Sequence, residues 1–249
     1  MKREWEELKT ALGFLTVLPV APGHEPSPEQ LGRSMGFFPA AGLVIGLLLV
    51  VLNWALEALI PRPVLDCLLL LILIALTGAL HLDGMADMVD GLAGGRDQAG
   101  ILRIMKDSRV GAIGVVALVM LLLLKYLSLV SVPLAEKSAA LMFMPCAGRW
   151  VQVVLAAFCR YVRNEGGTGR SFVEQVGERE TLLATGTLLA AALVLFGMQG
   201  VFLAFLLGLA AMIMMRYFQA RLGGVTGDVL GAASEVLEVL SLILVLALV

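Results

Sequence analysis

The chain has 249 residues, of which 59% are hydrophobic and 15% are charged, and its net charge is −2. A soluble domain is usually about 45–50% apolar and about 25% charged, so these values and a mean hydropathy of +0.94 exclude an ordinary soluble domain. Several apolar runs exceed the roughly 18 residues that mark a bilayer span. The composition therefore predicts an all-α, polytopic membrane protein.

The N-terminal segment, residues 5–20, has the pattern of an amphipathic helix. Its apolar residues repeat at helical spacing: Trp5, Leu8, Leu12 and Leu15. The segment is too short to cross a bilayer, so it is expected to lie in the membrane interface. Pro19 and Pro22 end it. His24, in the Pro-rich loop that follows, is given no role.

Seven membrane spans are predicted from the apolar runs. They cover residues 35–60, 64–81, 110–132, 138–158, 181–196, 201–215 and 231–249. Gly42 and Gly46 in the first span have the GxxxG spacing that permits close helix approach. Arg149 in the fourth has either a functional role or a partner inside the bundle. We expect one domain over residues 1–249, with an interfacial helix and loop (1–34) and a transmembrane bundle (35–249).

The basic residues orient this predicted bundle. If the N-terminus is on the inside, 14 of the 18 Lys and Arg residues fall in segments on that side. This satisfies the positive-inside rule, with the N-terminus in the cytoplasm and the C-terminus outside. The polar, Gly-rich segments fall on the same side. We therefore expect a single site at the cytoplasmic face.

Three carboxylates follow the second span. Asp83, Asp87 and Asp90 lie at i, i+4 and i+7, so on a helix they fall within about 60° of one another and project from one face. Like charges this close repel, and a divalent cation would stabilise them. Mg²⁺ is usually held by one or two carboxylates plus substrate phosphate, so the pattern predicts a magnesium site. The alternative is a solvated acidic first turn favoured by the helix dipole.

Further segments on that side are typical of a phosphate site. Residues 106–109 supply two cations and a hydroxyl at the start of the third span. Gly-rich stretches around Gly166 and Gly223 can bring backbone N–H groups close to a ligand. Asp228 and Glu235, at i and i+7, form a second acidic face. Together these groups indicate a phosphate or pyrophosphate site, where catalysis is mostly positioning and charge neutralisation.

Three motifs then carry a family resemblance. They are HLDGMADMVDG at 81–91, IMKDSRVG at 104–111 and GGVTGDVLGA at 223–232. In type and spacing they resemble the cobalamin synthase family, also called adenosylcobinamide-GDP ribazoletransferase. Weaker matches, among them segments around Phe14, Phe38 and Tyr161, extend the resemblance over nearly the whole chain. Gly167 departs from the Leu that the family more often has after Glu-Gly, which leaves the role of that loop open.

The resemblance implies the last joining step of cobalamin assembly. Adenosylcobinamide-GDP donates its cobinamide-phosphate, α-ribazole or its 5′-phosphate accepts it, GMP leaves, and Mg²⁺ is the cofactor. The implied partners are these two substrates and the lipid bilayer, without nucleic acid. A homo-oligomer, or association with other cobamide-assembly enzymes, is left open. The implied location is the bacterial cytoplasmic (inner) membrane.

The site residues are predicted from this resemblance together with residue chemistry. Lys and Arg side chains are expected to clamp the pyrophosphate, and Asp90 is expected to take the proton of the ribazole 5′-hydroxyl. The predicted catalytic residues are Asp87, Asp90, Lys106 and Arg109. The predicted substrate-binding residues are Arg33, His81, Asp107, Ser108, Arg163, Gly224 and Thr226. The predicted metal ligands are Asp83, Asp87, Asp90 and Asp228.

Two other functions remain open at this point. Phosphotransferases of the CDP-alcohol type also use an Asp-rich motif beginning Asp-Gly, but the Ala-Arg that follows it there, and that family's long spacing, are absent here. A transporter or cation channel usually has ionisable groups near the bilayer midplane on broken helices. Here most of the acids lie at span ends on one side, and only Arg149 and Glu235 fit transport.

Overall fold

A computed structural model describes residues 2–20, 26–163 and 168–248, and this part of the chain is predominantly helical. The helices are α1 (Lys2–Leu15), α2 (Pro28–Ser34), a 3-10 turn (Met35–Phe37), α3 (Phe38–Leu56), α4 (Arg62–Leu76), α5 (Leu80–Gly94), α6 (Gln98–Ile104), α7 (Ala112–Ser131), α8 (Leu134–Phe158), α9 (Thr168–Gln175), α10 (Glu178–Leu222) and α11 (Gly227–Leu248). Among these residues the β-type pairing is a single parallel bridge between Tyr161 and Val225. The predicted all-α class is confirmed. His24, Gly166 and Gly167 lie outside the described residues.

The apolar helices form a membrane-sized bundle around α8, which packs against α3, α10 and α11. Within the described residues five helices are long and apolar enough to cross a membrane, and α4 with α5 form a further, bent candidate. The short helices α2, α6 and α9 occupy segments that the sequence predicts to be loops. Each is seven or eight residues long, too short for a clear helical periodicity.

Helix α10 contains two of the predicted spans and reverses direction between them. A straight helix of 45 residues would be about 67 Å long, against about 30 Å for the hydrocarbon core. Gly197 breaks it with φ 60° and ψ −140°. Gln199, next to the break, donates to Leu248 O at the end of α11 (2.7 Å). A Cβ on Gly200 would lie 2.0 Å from Ala192 O, so the two arms lie against each other at the break, and Leu222 at the far end accepts from Gln98 at the start of α6. The arms 178–196 and 198–222 therefore run in opposite directions, and their separate crossing of the membrane stays a prediction.

The GxxxG pair in α3 produces the predicted close helix approach. A Cβ on Gly42 would lie 2.5 Å from Pro145 O, and one on Gly46 would lie 2.5 Å from Met142 Cα. Both distances are shorter than van der Waals contact, so a larger residue at either position would push α3 away from α8.

Arg149 has its partner inside the bundle. It pairs with Glu238, which also accepts from Lys125 at 2.7 Å, and Lys125 pairs with Glu235 as well. All four side chains are buried, and buried charges are tolerated when they are paired. Of the two roles left open for Arg149, pairing is the one observed. Asp228 and Glu235 are predicted to form a second acidic face, but Glu235 lies inside this network and is therefore not available to the predicted site.

The second predicted span ends earlier than expected. Helix α4 ends at Leu76, and α5 leaves it at an angle of 87°. The bend uses positive φ at Gly78 (59°) and at Ala79 (56°), a conformation that is uncommon for alanine. Helix α5 then packs against α7 and α11. Its carboxylates therefore follow the bend and are not part of the straight helix α4.

Candidate active site

Two glycines bring the acidic face of α5 to the start of α11. A Cβ on Gly84 would lie 2.8 Å from Asp228 Cα, and one on Gly231 would lie 3.1 Å from His81 Cα. The two helices therefore touch through their backbones. This contact places Asp83 and Asp228 in the wall of one cavity, as the sequence predicts for residues of a shared site.

The cavity has a volume of about 190 Å³ and lies where α5, α8, α11 and the segment after α8 meet. Four of the predicted site residues line it: His81, Asp83, Arg163 and Asp228. Its wall also contains five aromatic or amide side chains that were not predicted as site residues: Phe14, Phe38, Gln152, Tyr161 and Phe172. The family resemblance could have indicated three of these residues, because Phe14, Phe38 and Tyr161 lie in the weaker matching segments. Gln152 and Phe172 carried no such signal.

Arg163 is positioned by a close approach of two chain segments. A Cβ on Gly224 would lie 2.0 Å from Arg160 O, and the Val225 amide donates to that same oxygen at 2.8 Å. The segment after α8 is thereby held against the start of α11. Arg163 then donates to Asp228 Oδ2 and to Met105 O. Its Nε is buried and has no partner among the described residues.

Repulsion among carboxylates is visible at Asp87. Burial, followed by the nearby carboxylates of Asp83 and Asp228, raises the pKa of Asp87 to about 6, although Arg163 partly offsets this. Without a cation, bringing these carboxylates together therefore costs folding free energy. Among the described residues, however, no three His, Cys, Asp or Glu side chains form a group that could hold a metal ion. The predicted magnesium site stays a prediction.

Asp90 is turned toward α7. Its two oxygens accept hydrogen bonds from the amides of Gly111 (2.6 Å) and Gly114 (2.8 Å). The first amides of a helix lack partners within the helix, and a carboxylate that accepts from them stabilises the helix start. Both oxygens of the Asp90 carboxylate are therefore occupied by backbone amides. These contacts do not favour the predicted roles of Asp90 as proton acceptor and metal ligand.

The segment 106–109 lies beside the cavity. Within the described residues, none of its side chains lines the cavity wall. Arg109 donates to Asp107 Oδ2 at 2.7 Å, and its side chain is 87% exposed. Hydrogen bonds from Arg109 lower the pKa of Asp107 to about 2. Lys106 and Ser108 are also exposed. The Arg163 contact with Met105 O links this segment to the cavity.

Three other predicted substrate-binding residues are placed elsewhere. Arg33 is exposed on α2. Gly224 and Thr226 are buried, and the Thr226 hydroxyl accepts from the Val229 amide at 3.2 Å, at the start of α11. Both therefore shape the start of α11, and their predicted contacts with substrate stay predictions.

His81 lies at the inner end of the cavity and is buried. Its Nε2 lies 2.9 Å from Gln152 Nε2, whereas its Nδ1 has no partner among the described residues. Burial, followed by the charges of Arg149 and Lys125, holds the pKa of His81 well below its ordinary value. With the Gln152 amide nitrogen donating, Nε2 is an acceptor and the imidazole is neutral.

Comparisons with known proteins agree over nearly the whole chain. The family model described as Cobalamin-5-phosphate synthase matches residues 7–246. A relative from Geotalea daltonii named adenosylcobinamide-GDP ribazoletransferase is 42% identical over 240 residues, 96% of each chain. Relatives with the same name from Syntrophobacter fumaroxidans (38% over 248 residues, 96% of this chain and 97% of the relative) and Pseudomonas fluorescens (41% over 230 residues, 92% and 93%) are also similar. No solved structure matches the chain.

Proposed function

The chain belongs to the cobalamin-5-phosphate synthase family, and we propose that it transfers cobinamide-phosphate from adenosylcobinamide-GDP to α-ribazole or α-ribazole 5′-phosphate, with release of GMP. The observation that carries the proposal is the cavity in which Asp83, Arg163 and Asp228 converge beside an aromatic wall. Charged groups of this kind suit a pyrophosphate, and the aromatic wall suits a base.

The reaction joins a ribose hydroxyl to phosphorus. The hydroxyl oxygen attacks the phosphorus that carries cobinamide, the P–O bond to the GMP portion breaks, and the hydroxyl proton passes to a base. The 5′-hydroxyl expected from the sequence cannot attack when the acceptor carries a 5′-phosphate, and the family name indicates a product that keeps this phosphate. We therefore propose that a secondary ribose hydroxyl, free in both acceptors, is the attacking group.

The cations near the cavity bind the donor in this proposal. Arg163 faces Asp228 inside the wall, and its Nε has no partner among the described residues, so it is placed to meet a phosphoryl oxygen. Lys106 and Arg109 lie in the adjoining exposed segment and contact the outer part of the pyrophosphate. Much of the donor stays outside, because about 190 Å³ is smaller than the about 300–1,000 Å³ of pockets that enclose drug-sized ligands.

The carboxylate oxygens near the mouth of the cavity are the kind of ligand that suits Mg²⁺. Asp83, Asp87 and Asp228 offer hard oxygen ligands from two facing helices, and burial, followed by the carboxylates of Asp83 and Asp228, raises the pKa of Asp87. The described residues contain no group of three that could hold a metal ion, so we propose that one or two of these carboxylates hold it together with substrate phosphate. When bound, Mg²⁺ neutralises charge on the phosphate oxygens. Asp90 keeps α7 in place in this scheme.

We further propose that the site faces the cytoplasm at the bacterial inner membrane. Arg33, Arg163 and Arg179 lie at the end of the bundle that carries the site. At the opposite end Arg62 and Lys137 both pair with Asp66, so little positive charge is left there. This distribution supports a cytoplasmic N-terminus. The pairing of all four interior charges, in contrast, gives no support to ion transport.

The reaction is tested with purified protein in lipid nanodiscs. Adenosylcobinamide-GDP, α-ribazole 5′-phosphate and Mg²⁺ are added, and GMP and the corrinoid product are followed by liquid chromatography and mass spectrometry. We expect equal amounts of both products, which excess EDTA abolishes. The Asp83→Asn/Asp228→Asn double variant is the inactive control. If folded wild-type protein releases no GMP, the proposed function is wrong.

A further inference from the structure

The cavity has two chemically different parts, and helix α11 runs past both. Asp228 lies at the mouth with Asp83 and Arg163, whereas Gly231 lies three residues further into the bundle, beside His81. Three residues correspond to about 4.5 Å along a helix. The charged mouth and the inner end are therefore separated by about the width of one sugar ring.

The inner wall is aromatic. Phe14 from α1, Phe38 from α3 and Phe172 from α9 all line the cavity. Their ring centroids lie 4.5 Å (Phe14 to Phe172), 5.5 Å (Phe38 to Phe172) and 6.1 Å (Phe14 to Phe38) apart. Three separate elements thus contribute one aromatic surface, and Met35 and Leu230 extend it. Such a surface suits a flat, apolar ring.

A polar pair lines the same cavity. His81 and Gln152 contact each other through their Nε2 atoms at 2.9 Å, and both are buried. With the amide nitrogen donating, the imidazole proton is on Nδ1, which has no partner among the described residues. A buried N–H without an acceptor is costly. The pair is therefore suited to a ligand with a single polar ring atom.

The substrates of the proposed reaction contain three ring systems, and one of them fits. The corrin ring is too large for a cavity of about 190 Å³. Guanine has several donors and acceptors on its edge, which would lose water against an apolar wall. The base of ribazole is a dimethylbenzimidazole, which is flat and apolar and has one free ring nitrogen.

We infer that the inner part of the cavity, formed by Phe14, Phe38, Phe172 and the His81–Gln152 pair, binds the benzimidazole base of the acceptor. This inference rests on the proposed function and deepens it. The base stacks on the aromatic wall, its free ring nitrogen faces the polar pair, and the ribose extends toward Asp83 and Asp228. The guanine of the donor is then bound elsewhere.

Binding of α-ribazole without donor tests the inference separately from catalysis. The intrinsic fluorescence of its benzimidazole is titrated with wild-type protein in nanodiscs, and guanosine is measured as a competitor. We expect guanosine to bind at least about tenfold more weakly than α-ribazole, because stacking in an apolar wall favours the ring with fewer unmet polar groups. Equal affinities, or no binding of α-ribazole, would overturn the inference, whether or not the enzyme is active.

Two variants then locate the base. Phe14→Ala and Phe172→Leu should each raise the KM for α-ribazole about fivefold or more, because a stacking partner is lost. The KM for adenosylcobinamide-GDP and the inhibition constant of GMP should stay within twofold of wild type. Phe205→Ala is the matched control, since Phe205 is 59% exposed on α10 and stacks on Phe202, away from the cavity.

The alternative occupant gives the opposite pattern. If guanine stacks on this wall, the same variants raise the inhibition constant of GMP and leave the KM for α-ribazole unchanged, which overturns the inference. Thermal unfolding of each variant is measured first. If Phe172→Leu does not fold, Phe14→Ala, whose side chain is half-buried, decides the outcome together with the wild-type titration.

Discussion

Asp90 shows how a residue on a predicted acidic face acquires a different role. Its carboxylate accepts from two amides at the start of α7, so Asp90→Ala leaves two partly buried N–H groups without an acceptor. We expect this variant to lose about 1–3 kcal/mol of stability. Asp90→Asn keeps one acceptor oxygen and should lose less, with a rate within about tenfold of wild type. Thermal unfolding and GMP release measure both effects.

The opposite result would restore the role expected from the sequence. General-base catalysis contributes about 10²–10⁴-fold. An Asp90→Asn variant with wild-type stability and a rate reduced by more than a hundredfold would show that Asp90 takes the proton, and the helix-start contacts would then be secondary.

Asp83 and Asp228 are the pair expected to act together. The sequence predicts that Asp83, Asp90 and Asp228 are ligands of one metal, and the structure places Asp83 with Asp228 in one wall. Because one substrate site needs both, the Asp83→Asn/Asp228→Asn double variant should be about as slow as the slower single variant. Glu174→Gln serves as control, since Glu174 is exposed and pairs with Arg170 on α9. Rate losses that multiply would separate the two carboxylates.

Asp87 makes stability depend on pH and on the cation. Its pKa is raised from 3.8 to about 6 in the folded protein, so the folded state binds the proton more tightly than the unfolded state. Stability from this group is therefore lost as pH rises from about 4 to about 6 and stays reduced above that. In EDTA, Asp87→Asn should unfold at a higher temperature than wild type at pH 7.5.

The same two proteins also test the proposed cation. Added Mg²⁺ should raise the unfolding temperature of wild type more than that of Asp87→Asn, because the variant lacks one ligand. An equal effect on both proteins would remove Asp87 from the proposed ligands. This measurement does not depend on turnover.

At the scale of elements, the site depends on the contact between α5 and α11. Gly84→Ala would place a Cβ 2.7 Å from Asp228 O, and the nearest atoms are backbone, which cannot rotate away. We expect the helices to separate and GMP release to fall at least about tenfold, since small displacements at a reacting centre are costly. Gly186→Ala is the matched control, because nothing lies within 4 Å of a Cβ there. Equal effects of the two substitutions would show that the contact is unimportant.

The sequence predicts helix faces well and junctions between helices poorly. The spacing of Asp83 and Asp87 predicts their shared face, and the spacing of Gly42 and Gly46 predicts the contact of α3 with α8, because both follow from the helical repeat. The bend of 87° between α4 and α5 depends on a positive φ at Ala79. Local preference disfavours that conformation, so tertiary packing must impose it.

The same limit explains which site residues were found. Asp228 and Arg163 lie in polar, Gly-rich sequence at helix ends, where function is expected in a membrane protein. Gln152 and Phe172 have the appearance of ordinary helix residues, and only the packing of α8 and α9 around His81 and Phe38 brings them to the cavity. The role of Asp90 likewise depends on the position of the start of α7. The spacing of residues on α5 gives no information about that position.

At the scale of the whole molecule, buried charge holds the bundle in one arrangement. Lys125 on α7, Arg149 on α8 and Glu238 on α11 form a connected network, so each helix presents a charge that has its partner on another. Removing one partner from such a group typically costs about 3–5 kcal/mol. The three helices therefore keep a fixed register, and their ends at the site, including the start of α7 beside Asp90, keep fixed positions.

The reversal of α10 at Gly197 determines on which side of the membrane each loop lies. Gln199 bonds to the end of α11, whereas helix α5 contacts the start of α11 through Gly84 and the start of α7 through Asp90. Residue 198 and residue 108 should therefore lie on opposite sides. Single cysteines are introduced as Met198→Cys, at a position that is 75% exposed, and Ser108→Cys, in a chain whose own cysteines are replaced by serine. In right-side-out vesicles a membrane-impermeant maleimide should label position 198 directly and position 108 only after permeabilisation, because the basic residues favour a cytoplasmic site. Labelling of both positions from one side would mean that the arms 178–196 and 198–222 do not both cross. Labelling in the reverse order would retain the hairpin and place the site outside.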